Sequence, residues 1–138
     1  MLELDDIIEL QTNSQTEKLS FATRYLVQIN FTFDLKVRSG DFSGTSHFCV
    51  RRDEIESFCK NLLDLYSSLK GSARIEDNDS DGFVEFSIEP NGNLYVNGQV
   101  GGTYEEQCMK FKFKTDQTCI PRFVQDFNKL LLNKNGNY

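Results

Sequence analysis

Residues 25–37 read YLVQINFTFDLKV, and this stretch constrains the fold more than any other part of the sequence. From Val27 to Val37, apolar and polar residues alternate without a break, which is typical of a β-strand with one face on a core and the other in solvent. Such half-exposed strands belong to antiparallel sheets, because parallel strands are covered on both faces. The residues predicted to face the core are Val27, Ile29, Phe31, Phe33, Leu35 and Val37.

Two later segments carry apolar residues at the three- and four-residue spacing of an amphipathic helix. The first begins near Asp53, predicted to be an N-cap answered by Glu56, and ends at Gly71. The second, predicted to be capped by Thr118, begins at Cys119 and runs to about Asn133. The two stripes coincide at a displacement of 65 residues, which indicates a possible internal duplication, although any two helices packed on a sheet share such spacing. The stripes are Ile55, Phe58, Cys59, Leu62, Leu65, Tyr66 and Leu69 in the first helix and Ile120, Phe123, Val124, Phe127, Leu130 and Leu131 in the second.

Shorter strand patterns fill the rest of the chain, separated by turn residues such as Asp81-Gly82 and Pro90-Asn91-Gly92. The predicted order is βββα-ββββα, an α+β fold in which two amphipathic helices cover an antiparallel sheet of about six to seven strands. A length of 138 residues predicts that residues 1–138 form a single domain. The predicted strands are residues 4–10, 25–37, 42–50 with a bulge at Gly44, 73–76, 83–89, 93–100 and 107–114.

Charge and composition exclude several function classes. The net charge of −6 repels phosphate backbones, so no nucleic-acid partner is expected. No segment approaches the roughly 20 apolar residues of a membrane span, and the first ten residues, MLELDDIIEL, carry acids where an export signal carries Lys or Arg. The four cysteines form no Cys-x-x-Cys pair, which favours reduced thiols over a zinc site. We therefore expect a soluble, cytoplasmic protein without a membrane partner.

The segment EDNDSDGFVE, residues 76–85, begins like a calcium loop of the EF-hand kind. Asp77, Asp79 and Asp81 fill positions one, three and five, and Gly82 fills position six. The twelfth position should hold a bidentate glutamate but holds Ile88, and the flanks are predicted strands. A calcium- or ligand-binding module built on this loop is the alternative function, while a hairpin tip explains the same residues by turn geometry.

The sequence contains little that points to catalysis. His47 is the single histidine, and Cys49 lies on the same strand face two residues later, but no carboxylate nearby in sequence would orient the pair. Residues 39–44 contain two glycines without the Gly-Lys-Ser/Thr ending of a phosphate-binding loop. We predict that the protein is not an enzyme and has no cofactor.

Several segments together resemble the WapI-like family of small bacterial immunity proteins. They are the start Met1-Leu2-Glu3-Leu4, the alternating residues 25–37, the turn Phe42-Ser43-Gly44, the helix over residues 55–71, and the run from Phe111 to Thr118 into the last helix. Each segment is weakly specific, but together they cover nearly the whole chain. The sequence departs from the family pattern in lacking a tryptophan in the alternating strand.

The resemblance implies a binding protein that neutralises a cognate toxin domain by direct contact. Toxins of this sort are commonly nucleases with basic surfaces, and an acidic partner would be steered onto such a surface. The acidic residues near the loop would then mimic phosphates. The candidate partner-binding residues are Glu76, Asp77, Asp79, Asp81 and Glu85.

Overall fold

A computed structural model describes residues 1–103 and 107–134 of the chain. Its strands are β1 Leu2–Glu3, β2 Ile7–Leu10, β3 Glu17–Val27, β4 Asn30–Ser39, β5 Phe42–Arg51, β6 Gly71–Glu76, β7 Phe83–Ile88, β8 Leu94–Gly101 and β9 Cys108–Thr115. Its helices are α1 Arg52–Ser68 and α2 Ile120–Asn133, with a 3-10 turn, Gln117–Cys119, before α2. Residues 104–106 and 135–138 lie outside the described residues.

The described strands form two antiparallel sheets. Sheet A contains β1 to β5, in the order β1-β3-β4-β5 with β2 also paired to β3, and sheet B contains β6-β7-β8-β9. The predicted α+β class and the strands-then-helix order, repeated once, are confirmed. The described part of the chain forms nine strands in two sheets, where we expected six to seven strands in one sheet.

The prediction of one long strand over residues 25–37 is wrong. A tight turn at Gln28 and Ile29 separates β3 from β4, and Gln28 adopts a φ of 57°. A two-residue turn leaves the alternation of the sequence intact, so the pattern by itself does not reveal it. A register shift between Thr23 and Tyr25 also changes which residues of β3 face the core. Val27 and Ile29, predicted to be buried, are 41% and 51% exposed.

The helices begin with side-chain caps other than the predicted ones. The Arg51 amide donates to Glu54 Oε1 at 2.9 Å, so the capping pair lies two residues before Asp53 and Glu56. Before α2, the Asp116 carboxylate accepts from the Thr118 amide at 2.8 Å. These carboxylates satisfy backbone donors that have no partner inside a helix.

One hydrophobic core joins both sheets and both helices. Phe127 of α2 packs against Phe21 of sheet A, with ring centroids 5.4 Å apart, while Phe58 of α1 packs 5.9 Å from Phe86 of sheet B. Each helix therefore contacts the sheet of the other half of the chain, which ties the two halves together.

The structure supports the hypothesis of an internal duplication. The displacement of 65 residues takes Phe21 to Phe86 and Phe58 to Phe123. The contact of Phe58 with Phe86 therefore has a counterpart in the contact of Phe123 with Phe21, whose ring centroids are 6.2 Å apart. Two amphipathic helices that are similar only by chance would not be expected to make such matching contacts.

Gly44 is not the site of a bulge. The pairing of β4 with β5 runs without interruption from Asn30 and Arg51 to Ser39 and Phe42. A Cβ atom at Gly44 would lie 3.1 Å from the sulfur of Met109, so the glycine allows sheet B to approach β5 closely.

Candidate functional site

The acidic loop, residues 77–82, joins β6 to β7 and folds back onto the edge of sheet A. Asp77 Oδ1 accepts from the Cys49 amide at 2.9 Å, and the Asn78 amide donates to the Cys49 carbonyl oxygen at 2.9 Å. The Asp81 amide also donates to the Gly102 carbonyl oxygen at 2.8 Å. The loop closes the hairpin of β6 and β7, as the sequence suggested, and it is also fixed to β5 on one side and to the end of β8 on the other.

Asp77 holds the acidic loop in this conformation. Its side chain is buried, and its oxygens also accept from the Asp79 amide at 3.1 Å and the Ser80 hydroxyl at 2.5 Å. A carboxylate with several donors tolerates burial because the bonds replace those it made to water. The Asp77 side chain is therefore committed to the fold, although the sequence suggested it as a partner-binding residue or a metal ligand.

The geometry of the loop does not favour the calcium alternative. Both oxygens of Asp77, the first ligand of the expected calcium loop, accept hydrogen bonds from the protein. Across residues 1–103 and 107–134, no three His, Cys, Asp or Glu side chains are grouped so that they could hold a metal ion.

The remaining predicted partner-binding residues fall into two groups. Asp79 and Asp81 are exposed on the acidic loop. Glu76 and Glu85 lie instead on the outer face of sheet B, on either side of Arg74: Glu76 Oε1 is 3.1 Å from Arg74 Nε, and Glu85 is paired with Arg74 in the register of β6 and β7. Asp79 and Asp81 form no ion pair with any of the described residues, so both remain candidates for partner binding.

A cleft of about 570 Å³ lies beside the acidic loop, and we call it the β5 cleft. One wall is the edge of β5, and the other is formed by the end of β8 and the start of β9. Sequence reasoning missed this site because its walls come from four separate segments. Its lining residues are Ser43, Gly44, Thr45, Ser46, His47, Asp77, Asp79, Ser80, Val100, Gly101, Gly102, Thr103, Gln107, Cys108 and Met109.

His47 and Cys49 lack the features of a catalytic pair. His47 Nε2 lies 3.6 Å from Asp34 Oδ1 across the β4–β5 register, a carboxylate that the spacing of the sequence did not indicate. Burial, and then the nearby charge of Asp79, raise the pKa of the Cys49 thiol. An activated cysteine requires the opposite shift, since the thiolate is the nucleophile. Asp34 also forms an ion pair with Arg24, with Arg24 Nη1 3.2 Å from Asp34 Oδ2.

The profile of the WapI-like immunity protein family matches residues 14–133. This chain belongs to the WapI-like immunity protein family. The match includes the β5 cleft, the acidic loop and both helices. The resemblance found in the sequence is thereby confirmed, and an immunity role is the function associated with the family.

A likeness to a solved structure concerns the fold alone. The MRP1/MRP2 structure from Trypanosoma brucei superimposes with a TM-score of 0.52, covering 99% of this chain and 88% of that chain at 8% identity. No curated protein matches the sequence. Among the described residues, no helix has the length and apolar character needed to cross a membrane.

Proposed function

We propose that this protein neutralises a cognate bacterial toxin domain in the cytoplasm by binding directly to it, without catalysis. Family membership supports the immunity role. The observation that supports direct binding at a particular place is the acidic loop, which presents Asp79 and Asp81 beside the open β5 cleft. The partner surface at this site carries Lys or Arg side chains.

The loop is suited to binding because it is ordered before a partner arrives. Hydrogen bonds from Cys49, Asn78 and Asp81 hold its backbone between the two sheets. A preorganised surface loses little conformational entropy on association, so more of the contact energy appears as affinity. Exposed carboxylates held in this way accelerate the encounter with a basic partner.

The net charge of −6 fits a toxin with a basic surface, such as a nuclease. In this proposal the acidic loop occupies the surface of the toxin that would otherwise contact a nucleic-acid backbone. Toxin activity is blocked because the protein excludes the substrate from that surface.

The proposal is tested with the toxin domain encoded beside the gene for this protein. The double variant Asp79→Asn/Asp81→Asn removes two exposed charges and leaves Asp77 in place. At low salt, we expect its association rate constant for the toxin to fall by about ten-fold, since charge steering acts mainly on association. Stopped-flow fluorescence over a salt series measures this change.

A matched control is Asp5→Asn/Asp64→Asn, which alters the net charge equally at two exposed positions of β1–β2 and α1. Its association rate should stay within about two-fold of that of the unmodified protein. Equal slowing by both double variants would show that the acidic loop is not the interface. Absence of any complex between the unmodified protein and that toxin would overturn the proposed function itself.

A further inference from the structure

The edge strand β5 has backbone groups that point away from sheet A. The hairpin turn at Gly40 and Asp41 is closed by the pair Ser39 and Phe42. Bonded and non-bonded pairs alternate along an antiparallel ladder. The even-numbered residues of β5 therefore bond to β4, and the amides and carbonyls of its odd-numbered residues face outward. The outward-facing residues are Ser43, Thr45, His47, Cys49 and Arg51.

The backbone groups of Cys49 and Arg51 form hydrogen bonds to residues outside sheet A. These bonds support the assignment of the odd-numbered residues of β5 as outward-facing. The amide and carbonyl of Cys49 bond to Asp77 and Asn78, and the Arg51 amide bonds to Glu54. At Ser43, Thr45 and His47 the described residues supply one hydrogen bond, from the Ser46 hydroxyl to the His47 carbonyl oxygen at 3.0 Å. The acidic loop thus covers one end of the edge and leaves the other end open.

The counterpart strand β9 is protected where β5 is not. The displacement of 65 residues places Lys110, Lys112 and Lys114 at the positions of Thr45, His47 and Cys49. Proteins place lysines on edge strands because a desolvated ammonium group opposes pairing with another strand. The odd-numbered positions of β5 from Ser43 to Cys49 carry no Lys, Asp, Glu or Pro.

The open part of the edge forms a wall of the β5 cleft, and Val100 and Met109 line the cleft where sheet B packs against Gly44. Five residues of extended chain span about 17 Å, which matches the stretch from Ser43 to His47. Asp79 lies at the end of this stretch where the acidic loop begins. A strand in this position would have alternate side chains facing the apolar residues and solvent.

We infer that an extended segment of the toxin binds in the β5 cleft as an additional strand of sheet A, paired with Ser43 to His47. This inference rests on the proposed function and specifies how the toxin is recognised. Main-chain hydrogen bonds supply affinity in this mode of binding, and the pockets for alternate side chains supply specificity. The segment carries small apolar residues facing Val100 and Met109 and a Lys or Arg that reaches Asp79.

Hydrogen exchange of individual amides, measured by NMR on the free protein and on its complex with the neighbouring toxin domain, tests the pairing. In the free protein the Gly44 and Ser46 amides are protected by β4, whereas those of Thr45 and His47 exchange rapidly. Adding the toxin should slow exchange at Thr45 and His47 by at least about ten-fold, because both amides point toward the new strand.

The variant Thr45→Pro removes the outward amide without removing a bond to β4, a position where sheets tolerate proline. We expect toxin binding to weaken by at least about ten-fold. The matched variant Thr45→Ala keeps the amide and should bind within about two-fold of the unmodified protein. Circular dichroism and thermal melting show whether each variant is folded. If Thr45→Pro does not fold, the hydrogen-exchange measurement on the unmodified protein tests the strand pairing instead.

Failure of the strand pairing can be distinguished from failure of the proposed function. A toxin that binds tightly and leaves exchange at Thr45 and His47 unchanged overturns the strand pairing, while the proposed function stands. A toxin that does not bind the unmodified protein overturns both. Equal loss of binding in Thr45→Ala and Thr45→Pro would show that the side chain is recognised and that the edge is not.

Discussion

The two halves of the chain share one arrangement and differ most at their edge strands. Strand β9 has lysines at positions 110, 112 and 114, where β5 has Thr45, His47 and Cys49. The loops differ as well, because the counterpart of Asp77 is Thr12, whose hydroxyl donates to the carbonyl oxygen of Glu17 at the start of β3 at 2.6 Å. The duplicated elements supply the core, and the positions where the halves differ form the candidate binding site.

The halves also differ in how their core is packed. Phe127 of α2 contacts the rings of Phe21, Phe33 and Phe123, whereas its counterpart in α1 is Leu62. The counterpart of Phe33 is Gly98, where a Cβ atom would lie 2.1 Å from the Phe83 carbonyl oxygen. The aromatic contacts are therefore concentrated between α2 and sheet A.

The largest effect is expected from Phe127→Ala. Phe127 is fully buried, so its loss leaves a cavity among several rings and should reduce the free energy of unfolding by about 4 kcal/mol. Leu62→Ala at the equivalent position should cost about 3 kcal/mol, because fewer atoms are removed. Urea denaturation measures both. A smaller loss for Phe127→Ala than for Leu62→Ala would contradict the proposed difference between the halves.

A smaller effect is expected from Asp77→Asn. Asn has one accepting oxygen in place of two, so the variant loses either the bond from the Ser80 hydroxyl or the bonds from the Cys49 and Asp79 amides, and its free energy of unfolding should fall by about 2 kcal/mol. Asp81→Asn, in the same loop but exposed, should change it by less than about 0.5 kcal/mol. Thermal or urea unfolding of both variants makes the comparison. Equal stability of the two would mean that Asp77 does not anchor the loop to β5.

The smallest effect at neutral pH is expected from Cys59→Val, which introduces the residue found at the equivalent position, Val124. Burial raises the pKa of the Cys59 thiol from 9.0 to about 12, so the folded state retains a proton that the unfolded chain loses near pH 9. Stability from this thiol is complete below pH 9 and declines as the pH rises toward 12.

Cys59→Val removes this alkaline dependence. Between pH 8 and 10 it should lose about 1 kcal/mol less of the free energy of unfolding than the unmodified protein, while the two differ by less than about 1 kcal/mol at pH 7. Denaturation curves at several pH values measure the difference. If the free energy of unfolding changed with pH equally in the two proteins, the alkaline dependence could not be assigned to Cys59. Cys119, whose pKa burial raises to about 11, keeps some alkaline dependence in both.

Much of the fold could be predicted, because the spacing of apolar residues along the sequence matches the faces that the helices bury. The predicted apolar residues of α1 from Ile55 to Leu65 and of α2 from Ile120 to Leu131 are buried, whereas Tyr66 is half-buried and Leu69, just after α1, is 54% exposed. The prediction failed at Gln28, where a two-residue turn preserves the alternation, and at Thr23 to Tyr25, where a bulge reverses it. Such features change the direction or the register of the chain without changing the order of apolar and polar residues.

The candidate site was predicted only in part. The acidic residues of the loop were identified from their composition, and Asp79 and Asp81 remain candidates for partner binding. The commitment of Asp77 to the fold was missed, because its partner Cys49 lies 28 residues away in the sequence. The cleft was missed for the same reason, since residues of β5, β8 and β9 meet there only after the two halves have packed together.

The sequence by itself determined the class of fold, the two similar helical stripes 65 residues apart and the supply of acidic groups, because periodicity, turn residues and charge are local properties. Only the tertiary structure decided which carboxylate is buried and which are displayed, and which edge strand is left open. Those outcomes depend on hydrogen bonds between β5 and a loop that follows α1 and β6, and long-range pairing of this kind leaves no periodic signal in the chain.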